Sequence, residues 1–217
     1  MVLHCYTSKK EAEQLCKKLN KKRENSAIMV SADLLKTAGL AKLVKQAVAA
    51  WGHLDVLVNN ASRFYQTPIG DVTEREWDDL LGSNLKAPFF LAQAAAPYLA
   101  KKKGCIINIG DVHTERSLRD YPVYSISKAG LIMLTKALAK ELAPKVRVNA
   151  VSPNLIAWPE GKNTLSPQRK QKLLQRVALQ RQGNPDDIAK AVLFLIQSAD
   201  YVTGQVVAVD GGRSLFM

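Results

Sequence analysis

The chain is poor in cysteine: Cys5, Cys16 and Cys105 are its only 3, an odd, widely spaced set without metal-ligand spacing. Such usage fits reduced thiols of an intracellular protein and gives no reason to place a metal. No apolar stretch approaches the roughly 18 residues that span a bilayer, and residues 1–6 lack the basic start and apolar core of a secretory signal. The expected setting is cytoplasmic, with no membrane partner. Acidic residues are scarce, 19 Asp+Glu against 31 Lys+Arg, leaving a formal net charge of +12. Much of the surplus sits in Lys9, Lys10, Lys17, Lys18, Lys21, Lys22, Arg23 and residues 101–103. Without interleaved aromatics these read as solvated helix faces, so no nucleic-acid partner is expected. Attraction of an anionic cofactor or substrate is another use for them.

What the sequence does hold is 47% apolar residues spread evenly along 217 positions, enough for one sizeable core and one domain over 1–217. Short β-branched runs at 2–7, 26–31, 54–58, 105–109, 146–151 and 205–209 read as strands. Amphipathic segments at 8–24, 36–51, 74–100, 122–143 and 184–198 read as helices, the last opening on Asn184-Pro185, a cap followed by proline. The alternation predicts an α/β fold with a doubly wound, Rossmann-like parallel sheet. The stretch 153–167, with Pro159, Gly161 and Asn163, breaks this rhythm and reads as a functional loop or lid.

Tyr124 and Lys128 stand four positions apart, so on a helix an ammonium would lie beside a phenol and draw its proton exchange towards neutrality. The spacing alone is weak, because Tyr6 with Lys10 and Tyr98 with Lys102 repeat it. Tyr124 differs in its company: a strand ending at Ile109, then Asp111, a short loop, and a helix opening Tyr124-Ser-Ile-Ser-Lys128-Ala-Gly130.

Together with Asn59-Asn60-Ala61 after a strand, Asn84 in Gly-Ser-Asn-Leu-Lys, and Val202-Thr-Gly204 running to Val209-Asp-Gly-Gly212, this arrangement resembles the short-chain dehydrogenase/reductase family over nearly the whole chain. Most of that family has serine where Asp111 stands; Asp111 together with Asn60-Ala61-Ser62-Arg63-Phe64 is most similar to the pteridine reductases. The resemblance implies NADPH-dependent reduction of a small-molecule pterin or folate-like substrate, with Tyr124 giving a proton to a ring nitrogen. Phe64 would stack on the substrate, with Asp111, Tyr124 and Trp158 also lining its site; Trp158 reads equally well as a surface or interface residue. Asp111 would support the proton transfer as a donor with a raised pKa or as a carboxylate orienting the phenol, or else cap the following loop. Asn84 would complete a proton relay through water to Lys128, or satisfy backbone groups where a helix bends.

For the cofactor, the resemblance points to Tyr6, Thr7, Ser8, Asp33, Leu34, Asn60, Ala61, Ser62, Tyr124, Lys128, Pro153, Asn154 and Leu155. An NAD enzyme usually carries an acidic residue after the corresponding strand; Tyr6, Thr7 and Ser8, followed by lysines, favour NADPH. Two departures stand out. The family's arginine near the 2'-phosphate is replaced by Thr7, and its proline-glycine by Pro153-Asn154. The glycine-rich phosphate loop is also missing, since no glycine precedes Gly39. The expectation is a fold lacking its first βα unit, with Met1 an internal position of a longer natural product or a misplaced start, and two strands left with unpaired edges. A homotetramer is implied by resemblance. Two other readings stay open: another short-chain carbonyl or ketoacyl reductase, and an inactive member serving as a binding or assembly protein.

Overall fold

Six short apolar runs become parallel strands, and the computed structural model describes them within residues 1–158 and 165–216. They are β1 (Val2–Cys5), β2 (Ile28–Ser31), β3 (Val56–Asn59), β4 (Cys105–Ile109), β5 (Arg147–Pro153) and β6 (Val206–Val209). The helices are α1 (Lys9–Lys22), α2 (Leu40–Ala49), α3 (Glu74–Leu81), α4 (Ala87–Lys102), α5 (Pro122–Leu142), α6 (Pro167–Leu174) and α7 (Pro185–Gln197). All strand pairs are parallel, as an alternating α/β chain requires, but they form two sheets: β1-β2, and a four-stranded sheet in the order β3-β4-β5-β6. The break lies between β1 and β3, where the unpaired edges were expected.

Side chains bridge what backbone pairing does not. Leu40, Leu43 and Val44 of α2 join Leu91, Ala95 and Leu99 of α4 over Ile106 and Val148, and Val30 of β2 packs on the same cluster. On the other face of the four-stranded sheet, Leu195 of α7 covers Ile107 and Val151. The alternation of Ile106 and Ile107 between the two clusters is the period-two pleat of a strand buried on both sides. Within this apolar layer Asn59 Nδ2 donates to Asn108 Oδ1 at 2.8 Å, and Asn108 Nδ2 donates to Thr135 Oγ1 at 2.9 Å. That polar chain ties β3 and β4 to α5, because a buried amide is costly unless each partner is in register.

The segment expected to form one helix over 74–100 is interrupted. α3 starts at a capping box formed by Thr73 and Glu76, then gives way to a π-helical turn, Gly82–Lys86, before α4 begins. Apolar spacing continues through the break, so periodicity could not reveal it; Asn84 holds the turn through its side chain. α6, which no strong apolar periodicity announces, starts from Ser166, whose hydroxyl accepts the Arg169 N–H at 3.2 Å. Pro159, Gly161 and Asn163 of the expected lid lie outside the described residues. Among the described residues no helix is long and apolar enough to cross a membrane.

Candidate active site

β4 ends at Ile109 and the chain passes through Gly110 into the loop that carries Asp111. A Cβ on Gly110 would meet Ser152 Oγ at 2.8 Å and Ile132 Cδ1 at 2.9 Å, so only glycine lets the loop leave the sheet this close to β5 and α5. Asp111 then faces the first turns of α5. The Tyr124 hydroxyl donates to Asp111 Oδ2 at 2.6 Å, and the His113 backbone N–H donates to Asp111 Oδ1 at 2.8 Å. Both carboxyl oxygens are therefore acceptors, which suits a carboxylate orienting the phenol.

Tyr124 and Lys128 are 5% and 3% exposed. Lys128 Nζ donates to the Ile109 carbonyl at 2.9 Å and lies 5.9 Å from the Tyr124 ring centre. Burial, and then the charge and acceptor of Asp111, push the Tyr124 phenol well above its ordinary value. This corrects the expectation that Lys128 would bring it near neutrality: removing water disfavours phenolate, and the nearest charge is negative. Burial lowers Lys128 to about 8, while Asp111 pulls the other way. Tyr124 is thus a neutral donor beside a lysine that titrates near physiological pH.

Asn84 makes no direct hydrogen bond to Lys128. Its Oδ1 accepts from Arg63 N–H at 2.8 Å, Ser83 Oγ at 3.0 Å and Ser62 Oγ at 3.2 Å. Its Nδ2 donates to the Arg63 carbonyl and to Ser127 Oγ, both at 3.0 Å. The side chain is fully committed to joining the π turn, the loop after β3 and α5. Phe64, carried by that loop, stacks on Tyr121 with ring centres 4.6 Å apart and meets Tyr124 edge-on at 4.7 Å. One face is occupied by Tyr121, yet the residue is 54% exposed, so an aromatic surface remains beside the phenol.

The remaining predicted residues divide by position. Asn60, Ala61 and Ser62 are exposed just beyond β3, and Pro153 ends β5 in register with Val209. Asn154 joins the central group through its Nδ2, 3.4 Å from His113 Nε2. Leu155 holds a φ of 50°, unusual for a non-glycine residue. Trp158 has Lys170 over its ring at 5.3 Å. Tyr6, Thr7, Ser8, Asp33 and Leu34 lie at the ends of β1 and β2, in the separate sheet. There Asp33 Oδ1 already accepts the Leu35 N–H at 3.1 Å, and Leu34 packs on the core.

Two contributors escaped the sequence reading. Ser127 lies three positions after Tyr124 and links it to Asn84, donating to the Tyr124 carbonyl at 2.7 Å. Its place on the same helical face as Tyr124 and Lys128 was the available signal. His113 joins Asp111 to Asn154, and nothing in its spacing announced that role.

Comparison with known proteins places this geometry in context. Residues 1–214 match the family model described as enoyl-(acyl carrier protein) reductase. The chain is 36% identical to 2-dehydro-3-deoxy-D-gluconate 5-dehydrogenase of Escherichia coli over 85% of its own length and 75% of that protein. It is 38% identical to the 3-oxoacyl-[acyl-carrier-protein] reductase of Thermotoga maritima, covering 80% of the chain and 71% of the relative. The enzyme of that name from Staphylococcus epidermidis is 35% identical, covering 94% and 84%. These relatives are ketoacyl reductases and a dehydrogenase rather than pteridine reductases, so they do not support the expected special likeness to the latter.

Proposed function

Because the chain belongs to the short-chain dehydrogenase/reductase family, we propose that it is an NADPH-dependent reductase of a ketoacyl or related carbonyl substrate, with Tyr124 as proton donor. The observation that carries this reading is the buried Tyr124, neutral and hydrogen-bonded at 2.6 Å, with Lys128 on the same helix face. The names of the relatives favour a ketoacyl substrate. The cofactor, when bound, supplies the hydride.

The residues present suit the two ends of such a dinucleotide, while no glycine-rich loop for its pyrophosphate is among them. Tyr124, Lys128, Asn154 and the exposed turn Asn60–Ala61 gather at the C-terminal ends of β3, β4 and β5, the side of an open parallel sheet on which ligands bind. These would hold the nicotinamide and its ribose. Tyr6, Thr7, Ser8, Asp33 and Leu34 would hold the adenosine end. Ser8 precedes α1 without making a side-chain cap bond, and Lys9 and Lys10 open the helix, which favours a 2'-phosphate there.

In the reaction the Tyr124 O–H turns from Asp111 Oδ2 to the substrate oxygen and releases its proton there. The Lys128 ammonium then stabilises the phenolate left behind, and Asn84 holds the Phe64 loop against α5. We further propose that the protein works as a homotetramer; the apolar Ile126 and Met133 of α5, 47% and 63% exposed, support that view.

A second reading is favoured by Asp111 itself. A carboxylate beside Tyr124 opposes a developing oxyanion but welcomes an N–H or a protonated nitrogen, and Phe64 offers a ring face, so a pterin or folate-like C=N bond is the rival substrate. The test is NADPH oxidation with a 3-ketoacyl thioester and, separately, with dihydrobiopterin. The first reading expects the thioester to be turned over at least tenfold more efficiently. A preference for dihydrobiopterin would replace it with the second.

A further inference from the structure

On the opposite face of the four-stranded sheet from α5, a cavity of about 520 Å³ opens between the loop after β5, residues 178–183, the start of α7 and the end of β6. Its size falls within the roughly 300–1,000 Å³ of small-molecule sites. The walls are tied together. Gly183 N–H donates to the Leu155 carbonyl at 3.2 Å, Gln182 Nε2 donates to the Ile156 carbonyl at 2.9 Å, and Leu179 N–H donates to the Gly211 carbonyl at 3.0 Å. Leu155 and Gln180 both hold a φ of 50° on facing segments, a backbone cost that concentrates where a surface is shaped for use. A Cβ on Gly183 would come within 2.7 Å of Ile156 Cδ1, and one on Gly211 within 2.8 Å of Val177 Cγ1. These close approaches make a frame, not a loose gap.

The lining has one chemical bias. Leu155, Ile156, Leu179 and Val209 supply apolar wall, and four charged side chains border it. Asp210 turns its two oxygens to the N–H groups of Gly212 and Ser214, at 2.9 and 2.7 Å. Asp187 accepts from Arg181 and from the Asn184 N–H, both at 3.1 Å. Asp210 is thus engaged through both oxygens, whereas Asp187 and Arg181 hold each other through Oδ2 and Nη1. Lys190 alone of the four has no hydrogen bond or close ion pair among the described residues, though its charge acts on Asp187 one helical turn away.

We infer that this cavity is a second ligand site, taking a small amphipathic carboxylate whose acid pairs with Lys190 at the rim and whose hydrocarbon body lies on the Leu155–Leu179 wall. It is separate from the Tyr124 cleft, because α5 and α7 cover opposite faces of the sheet. It is not isolated from it: Asn154 borders the cavity and reaches His113, whose backbone holds Asp111.

Isothermal titration of the full chain with octanoate tests this, with octanol and octylammonium as probes of the same body and different heads. Octanoate should bind, Lys190→Ala should weaken it at least tenfold, and filling the cavity by Ala191→Leu should weaken it similarly. The other two probes should bind at least tenfold more weakly than octanoate. Tyr124→Phe should leave octanoate affinity unchanged, which keeps this result independent of whether the protein reduces ketoacyl substrates. Absence of octanoate binding, equal binding by Lys190→Ala, tighter binding of octylammonium, or a loss in Tyr124→Phe matching that in Lys190→Ala would each overturn the inference.

Discussion

The two ends of the proposed cofactor site are built differently. At the β4–α5 end, Asp111, Tyr124, Ser127 and Asn84 are joined by short hydrogen bonds, Lys128 is held by the Ile109 carbonyl, and Tyr124 and Lys128 are almost wholly buried. At the β1–α1 end, Tyr6, Thr7 and Ser8 are exposed, and β1 pairs only with β2. The first end is organised before any ligand arrives, as proton transfer requires, because a donor must be desolvated and aimed in advance. The second is an open, basic surface, which on the proposed reading selects by charge. On that reading, chemistry depends on burial and cofactor preference on exposed electrostatics.

The sharpest way to break this contrast is Tyr124→Phe. Removing a general acid costs about a hundred- to ten-thousand-fold in rate, so turnover measured by NADPH oxidation should fall by that order while NADPH affinity changes less than about twofold. Asp111→Ser should act next most strongly. It removes the acceptor and the charge that raise the Tyr124 phenol, so ketoacyl turnover should rise or hold, and any dihydrobiopterin turnover should fall about tenfold. An unchanged ratio of the two substrates would detach Asp111 from specificity.

A smaller effect follows from Lys128, lowered by burial from 10.5 to about 8. Below about 8 the folded protein holds the ammonium, so activity that needs the cation should fall as pH rises through about 8, and Lys128→Arg should move that limb upward. Stability has the opposite slope. Between about 8 and 10 the unfolded chain binds a lysine proton that the folded chain does not, so unfolding free energy should increase with pH across that window, as read by urea titration, until the raised Tyr124 phenol opposes it.

On the exposed side, Lys9→Glu with Lys10→Glu should shift the NADPH-to-NADH preference by only about tenfold, since surface charges are screened. Smallest of all, Thr73→Ala should cost about 1 kcal/mol by removing the capping box of α3, with kcat unchanged.

Much of this was legible in the residues. β-branched runs announced all six strands, and Asn184-Pro185 announced the start of α7. Tyr124, Lys128 and Asp111 emerged together because one strand, loop and helix place them in sequence as well as in space. What escaped depended on contacts between distant segments. The π turn at Gly82–Lys86 is held by Asn84 reaching Arg63 and Ser127, and no local pattern encodes those partners. The expected lowering of the Tyr124 phenol considered the lysine on its own helix and underweighted burial and the carboxylate. Asn108, inside Ile-Ile-Asn-Ile, could have been flagged as a buried polar residue needing partners, but not assigned to Asn59 and Thr135. The preference for pterins rested on Asp111 and Phe64; the relatives redirected it towards ketoacyl substrates.

The central claim is that Tyr124 waits as a buried, neutral donor held by Asp111. Carbon-13 NMR of ring-labelled tyrosine, with Tyr124→Phe assigning the signal, measures this directly across a pH titration. The Tyr124 resonance should stay in its protonated position beyond pH about 10, where free tyrosine ionises. A titration of that resonance near neutrality would contradict the account.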